Sequence, residues 1–137
     1  MPGESKRSNA FNVIAHWLVL IALWTLSIKF IFPLIYDLSY GYPVGTHIMW
    51  DLWWVAHLYL AWSLTRWNSL TYRLAVLISV VEIIIVVVKF IVFLDAPDWT
   101  MWCTSWFVNK VFVLGCFITL LALLLRFRND GRVDPSD

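Results

Sequence analysis

Charged residues are scarce in this chain, and that scarcity indicates its class. Of the 137 residues, only 14% are charged and 61% are hydrophobic. A soluble domain has about 25% charged and roughly 45–50% apolar residues. Both differences favour a chain that places most of its length in a lipid bilayer. The formal net charge of +1 gives no support to a nucleic-acid partner.

Cysteine is also scarce, with only Cys103 and Cys116 present. A helix between them would separate their Cα atoms by roughly 20 Å, whereas a disulfide needs about 7 Å or less, so we predict free thiols. No CxxC or Cys/His metal spacing occurs. His47 and Asp51 stand at i and i+4, but no third ligand is evident. We therefore predict no metal site.

Recognisable catalytic motifs are missing as well. The sequence contains no nucleophile–base motif, no phosphate-binding loop and no redox motif. Its length allows one domain at most, and apolar stretches fill most of it. The sequence therefore leaves no room for a soluble active-site domain, and it favours a protein without catalytic activity of its own.

Four apolar stretches each have about the 20 residues needed to cross roughly 30 Å of hydrocarbon. They cover residues 11–32, 46–65, 74–94 and 106–125. We expect Pro33 to end the first, because proline cannot continue the helical hydrogen-bond ladder and restricts the residue before it. We predict an all-α integral membrane protein, in which residues 1–137 form one four-helix transmembrane bundle. Ten tryptophans suit such a bundle, since their rings settle at membrane interfaces.

The distribution of basic residues predicts the orientation of this bundle. Seven of the ten flank the span ends that share one side: Lys6, Arg7, Arg66, Arg73, Arg126, Arg128 and Arg132. The loops of the other side carry only aspartates as charged residues. Because cytoplasmic loops are enriched in Lys and Arg, we predict that both termini are cytoplasmic. The N-terminus resembles neither a signal nor a transit peptide, which favours a prokaryotic inner membrane.

Two of the predicted spans carry ionisable residues within the membrane. The segment 46–67 (THIMWDLWWVAHLYLAWSLTRW) contains Asp51 and His57, and the third span contains Glu82 and Lys89. These spans should be antiparallel neighbours, because a short turn joins them. Counting about 1.5 Å per residue matches the depth of Asp51 with Lys89 and that of His57 with Glu82. We therefore predict these two pairs.

This polar cluster allows two interpretations. An unpaired charge at the bilayer centre costs on the order of 3 kcal/mol, so the pairs could serve only to fix which helices are neighbours. Alternatively, His57 and Glu82 could form a proton- or ligand-linked site, because histidine titrates near neutral pH.

A third possibility involves His16, which lies about five residues into the first span at a depth close to that of His57. The opening His16-Trp17 resembles, over a handful of residues, the first span of di-haem b-type cytochromes. The resemblance implies a haem, or a chlorophyll-type pigment, held by His16 and His57. Those cytochromes use four histidines, whereas this chain has three, with His47 at the edge of a span. We predict no cofactor and keep the tetrapyrrole as an alternative.

Three functions from different classes remain open. The missing motifs favour a non-catalytic accessory or scaffolding subunit of a larger energy-transducing or oxidoreductase complex, in contact with lipid and other integral membrane subunits. The first alternative is a small proton- or ion-coupled transporter or channel that uses Glu82 and His57. The second is a membrane enzyme or cofactor carrier that uses His57 with Glu82 or, as the binder of a haem or chlorophyll-type pigment, His57 with His16.

Overall fold

Helices make up most of the computed structural model, which describes residues 2–129, with side chains from residue 8 onward. The elements are α1 (Pro2–Leu26), a π-helical turn (Ser27–Ile31), α2 (Phe32–Tyr40), α3 (Trp53–Arg66), α4 (Thr71–Asp95) and α5 (Met101–Asn129). The first three are continuous, so four helical segments result. No strand occurs within residues 2–129, and the all-α prediction is confirmed. Arg132, used above for orientation, lies outside the described residues.

Three of the four segments are long and apolar enough to cross a membrane. They are Ser8–Tyr40, Thr71–Asp95 and Met101–Asn129, and they indicate a membrane protein. The predicted second span differs, because α3 has only 14 residues and is therefore about 21 Å long. Residues 46–52 are not helical.

Asp51 explains where α3 begins. Its Oδ1 accepts a hydrogen bond of 2.8 Å from the backbone N–H of Trp53, and its own N–H donates to Met49 O at 2.8 Å. An aspartate that accepts a backbone N–H at the start of a helix is a common stop to helix extension. Asp51 therefore precedes α3, whereas the predicted span 46–65 would place it more than one turn inside a helix.

Pro33 does not end the first helix, contrary to our prediction. Proline lacks the N–H that would bond to the carbonyl four residues earlier, which here belongs to Lys29. The chain accommodates this with the π-helical turn, in which Phe32 N–H bonds to Ser27 O. The freed carbonyl of Lys29 accepts a hydrogen bond of 3.1 Å from Met49 N–H instead. The helix thus continues to Tyr40, and residues 41–52 fold back along it.

The four segments pack antiparallel to their sequence neighbours, and their two ends differ. At the end that we call closed, the Phe11 ring packs against Trp67, with ring centroids 4.9 Å apart, and against Phe127, with centroids 5.6 Å apart. Fully buried apolar side chains from three segments continue this core: Leu18, Leu60, Phe117, Leu120 and Leu124. At the opposite end, which we call open, lie the segments 41–52 and 96–100.

Cys103 and Cys116 are both free thiols, which confirms the prediction that they form no disulfide.

The exchange of the Met49 amide hydrogen tests the role of Pro33. Pro33→Ala supplies an N–H that competes with Met49 for the Lys29 carbonyl. Since one such hydrogen bond contributes about 0.5–1.5 kcal/mol, we expect Met49 to exchange roughly threefold to tenfold faster. Hydrogen-exchange mass spectrometry in detergent measures this, with Pro97→Ala as the control. Unchanged exchange in Pro33→Ala would contradict the explanation.

Candidate functional site

A cavity of about 260 Å³ lies among the helices towards the open end. Six ionisable side chains line it: Lys29, Asp51, His57, Glu82, Lys89 and Lys110. The π-helical turn, the segment before α3 and the helices α3, α4 and α5 all contribute to this set. We refer to it as the lysine cavity. It contains all four residues of the polar cluster proposed from the sequence, together with Lys29 and Lys110.

The three lysines of this cavity arise from three different helical segments. Lys29 and Lys110 are only 7% and 5% exposed, whereas Lys89 is exposed. None of them belongs to the basic residues that flank the span ends. Their chains are long enough to carry an ammonium group from the helix surface into a shared polar space. The fold therefore collects its membrane-embedded positive charge in one place.

Lys29 is the ion-pair partner of Asp51, so the predicted pair of Asp51 with Lys89 is wrong. Lys29 Nζ donates directly to Asp51 Oδ2. The predicted pair requires Asp51 to lie on a helix that faces α4. Instead, the bond from Met49 N–H to the Lys29 carbonyl draws the segment before α3 against the π-helical turn, and Asp51 comes with it.

His57 and Glu82 lie side by side, deeper in the molecule. His57 Nε2 is 3.6 Å from Glu82 Oε2, and each residue is only 1% exposed. The indole N–H of Trp53 donates to the same carboxylate oxygen. The His57 ring also packs against Phe117, with centroids 5.1 Å apart, where the apolar core begins. This pair therefore forms the floor of the lysine cavity.

Positive charge and hydrogen-bond donors are in excess in this cavity. Among residues 8–129, neither Lys89 nor Lys110 forms an ion pair with a carboxylate. Within residues 8–129, the donor Trp54 Nε1 is buried without a hydrogen-bond partner, and so are both ring nitrogens of His57, one of which donates while the ring is neutral. Such groups normally cost about 1–3 kcal/mol each when buried. The arrangement suits a guest that supplies negative charge and acceptor atoms.

His16 does not reach this cavity. It is exposed, its Nδ1 donates to Asn12 O at 2.7 Å, and it lines a separate groove between α1 and α3 with residues that include Trp62. His57 points instead towards α4 and α5. The structure therefore does not bring His16 and His57 together around one haem or pigment.

His47 is also removed from Asp51. Because residues 46–52 are not helical, the i and i+4 spacing of these two residues creates no shared helix face. His47 pairs with Asp37 instead, at 2.5 Å between Nδ1 and Oδ1. Within the described part of the chain, no group of three His, Cys, Asp or Glu side chains is placed to hold a metal ion.

No family model, no curated protein and no solved structure matches the chain. The functional inference therefore rests on the lysine cavity.

Sequence reasoning missed Lys29 and Lys110, although a signal for both was present. Counting 1.5 Å per residue along the first and fourth spans places Lys29 and Lys110 within about 7 Å of the ends of these spans. These ends lie on the same side as the ends near Asp51 and Lys89, so all four residues have nearly the same estimated depth. Four charges in one layer of a small bundle predict one shared site.

Double-mutant analysis tests the ion pair. Lys29→Met should destabilise the protein by about 1–2 kcal/mol, because it leaves Asp51 without its cation. The value is below that of a fully buried pair, since the Asp51 side chain is 40% exposed and solvent screens it. Asp51→Asn added to Lys29→Met should recover part of this loss, as measured by denaturation in detergent.

Lys89→Met provides the control for this cycle. Its coupling energy to Asp51→Asn should be clearly smaller than that of Lys29→Met, because Lys89 forms no ion pair with Asp51 in the structure. Equal coupling energies in the two cycles would contradict the pair of Lys29 with Asp51 and would favour Lys89, the partner predicted from the sequence.

Proposed function

We propose that the protein is a small membrane transporter that binds an anionic solute in the lysine cavity and couples its movement to a proton on His57 and Glu82. One observation carries this proposal. Lysines from three helical segments meet in a single cavity beside the buried pair of His57 and Glu82. Intramembrane ionisable residues commonly mark substrate pathways and proton relays.

The excess of lysines separates this proposal from a purely structural role. Two contacts, Lys29 with Asp51 and His57 with Glu82, would suffice to hold the helices in register. Lys89 and Lys110 add positive charge that no carboxylate pairs within residues 8–129. Lys110 is buried, and an apolar residue usually stabilises such a position at least as well as an ion does. Ligand binding gives Lys110 a role that packing alone does not.

The cavity also restricts the kind of anion. An ammonium group binds a carboxylate or an inorganic oxyanion as a point charge, and the free Trp54 N–H adds a directed donor. A volume of about 260 Å³ leaves room for a small anion and a few waters, each of which takes about 30 Å³. We therefore propose phosphate, sulfate or a short dicarboxylate as the solute class.

The pair at the floor of the cavity supplies the proposed coupling. With three lysines and two carboxylates, the cavity carries one net positive charge while His57 is neutral. A proton taken up by the pair of His57 and Glu82 raises that charge by one. A bound anion and a bound proton then favour each other, which is the requirement for symport.

A four-span topology fits this proposal. We propose that the segment 41–52 and α3 together complete the second crossing, and that both termini are cytoplasmic. Supporting this, Arg66, Arg73 and Arg126 belong to the ends of helices at the closed end, where the positive-inside rule would put the cytoplasm. The lysine cavity would then open outward, with the apolar core closing it from the inside.

The accessory-subunit hypothesis stays a prediction from the sequence. It rested on missing motifs, and no contact within residues 8–129 favours it over transport. The cofactor alternative loses its two-histidine geometry, because His16 and His57 line separate cavities.

Flux into proteoliposomes tests the transport proposal. An inward gradient of phosphate, sulfate or succinate should acidify the lumen, as reported by a trapped pH-sensitive dye, because proton and anion enter together. Lys110→Gln should lower the initial rate and weaken anion binding by about tenfold or more, a value typical for a lost charge-assisted hydrogen bond. Glu82→Gln should retain anion binding while losing acidification.

Arg128→Gln, at the closed end, serves as the matched control for loss of one positive charge. Binding is followed separately through the midpoint of thermal unfolding, which a bound anion raises. The proposal fails if none of the three anions raises this midpoint, or if Lys110→Gln and Arg128→Gln respond alike.

Cysteine labelling tests the topology. With Cys103 and Cys116 replaced by Ser, single cysteines at Val44 and Ser69 should react with an impermeant maleimide from opposite sides of the membrane. Both positions are exposed in the structure. Labelling of both from one side would exclude the four-span arrangement.

A further inference from the structure

A second polar pair lies at the end of α2, outside the lysine cavity. Asp37 is 0% exposed, and its Oδ2 accepts hydrogen bonds from the backbone N–H groups of Gly45 at 3.0 Å and His47 at 3.3 Å. Its Oδ1 lies 2.5 Å from Nδ1 of the His47 ring. One buried carboxylate therefore fixes both the backbone and the side chain of His47.

This arrangement determines the chemistry of the imidazole. In neutral histidine one ring nitrogen donates and the other accepts. While the His47 ring is neutral, the carboxylate next to Nδ1 holds the ring proton there, which leaves Nε2 as an oriented acceptor. Within residues 8–129 this Nε2 has no hydrogen-bond partner, and the side chain is 46% exposed. The rings of Tyr36 and Tyr42 stand edge-on to it at 5.2 and 5.1 Å, which limits its rotation.

The imidazole lines a cavity of about 420 Å³. The other lining residues are Pro33, Tyr36, Met49, Thr100 and Trp102. We call this the aromatic cavity. It shares no lining residue with the lysine cavity, and its walls are aromatic rings, a thioether and a proline. The Thr100 hydroxyl already accepts the N–H of Cys103 at 3.2 Å, as a cap of α5.

We propose that the aromatic cavity binds a phenol or hydroquinone that partitions into the membrane, with the ligand hydroxyl donating to Nε2 of His47. Three features select this class. An acceptor in the wall requires a donor in the ligand. The rings of Tyr36 and Trp102 and the sulfur of Met49 favour an aromatic ligand over an aliphatic one. The lining contains no lysine, arginine or carboxylate, which makes it unsuited to an ion.

The position of the cavity suits a ligand dissolved in lipid. Pro33 and Tyr36 belong to the continuous apolar segment Ser8–Tyr40, which is long enough to cross a membrane. Exposed apolar side chains surround them on the same helix, among them Phe32 and Ile35. A phenol that has partitioned into the bilayer therefore meets the cavity without crossing bulk water.

Paired ligands test this proposal on the purified full-length protein. Isothermal titration in detergent compares 2,3,5-trimethylphenol with its methyl ether, which has the same ring but no donor. We expect the phenol to bind roughly threefold to tenfold more tightly, as one hydrogen bond predicts. His47→Phe should remove this ratio, because the aromatic wall remains and the acceptor is lost. Tyr40 contacts Tyr36 but does not line the cavity. Tyr40→Phe, which removes only a hydroxyl, should therefore leave the ratio unchanged.

A second variant keeps the test decisive if His47→Phe disturbs the segment 41–52. Trp102 also lines the cavity, so Trp102→Ala should weaken the binding of both ligands equally while preserving the ratio between them. The proposal is overturned if phenol and ether bind alike to the unmodified protein, if neither binds, or if His47→Phe retains the ratio. Anion-driven acidification by Trp102→Ala should remain normal, so failure here is distinct from failure of the transport proposal.

Discussion

The hydrogen bond from Met49 N–H to the Lys29 carbonyl is the contact on which both cavities depend. A proline inside a helix leaves one carbonyl without its partner, and in apolar surroundings such a group must be satisfied within the protein. Here the chain returns to satisfy it. That return carries His47 to the aromatic cavity and Asp51 to the lysine cavity. The π-helical turn next to Pro33 therefore resembles many such turns, which often occur at functional sites.

The electrostatics of the lysine cavity follow from the same return. Asp51 neutralises Lys29 in this cavity, and His57 lies next to Glu82 at its floor. In the same cavity, Lys89 and Lys110 form no ion pair with a carboxylate of the described residues. In a medium of low dielectric constant such charges act over longer distances than in water. The fold thus creates a positive potential in the lysine cavity, between the apolar helices that line it.

The sequence predicted the helical class and three of the long helices, because length and apolar composition suffice for that. It did not predict the form of residues 46–52, since the apolar residues Ile48, Met49 and Trp50 suit a buried helix and a folded-back segment equally. Two hydrogen bonds keep residues 46–52 from forming a helix. One joins Trp53 N–H to the Asp51 carboxylate, and the other joins Met49 N–H to the Lys29 carbonyl. The assignment of Lys89 to Asp51 failed for this reason, whereas His57 and Glu82 lie on regular helices, where counting residues is reliable.

The length of the first helical segment has a consequence for how the protein sits in its membrane. The helical segment Ser8–Tyr40 has 33 residues, or about 50 Å of helix, against roughly 30 Å of hydrocarbon. A helix of this length extends beyond the hydrocarbon, so its ends reach the headgroup layers. Tyr36 and Tyr40 would lie there, at the depth that amphipathic rings prefer. Bilayer thickness then determines how much of the aromatic cavity is covered by lipid.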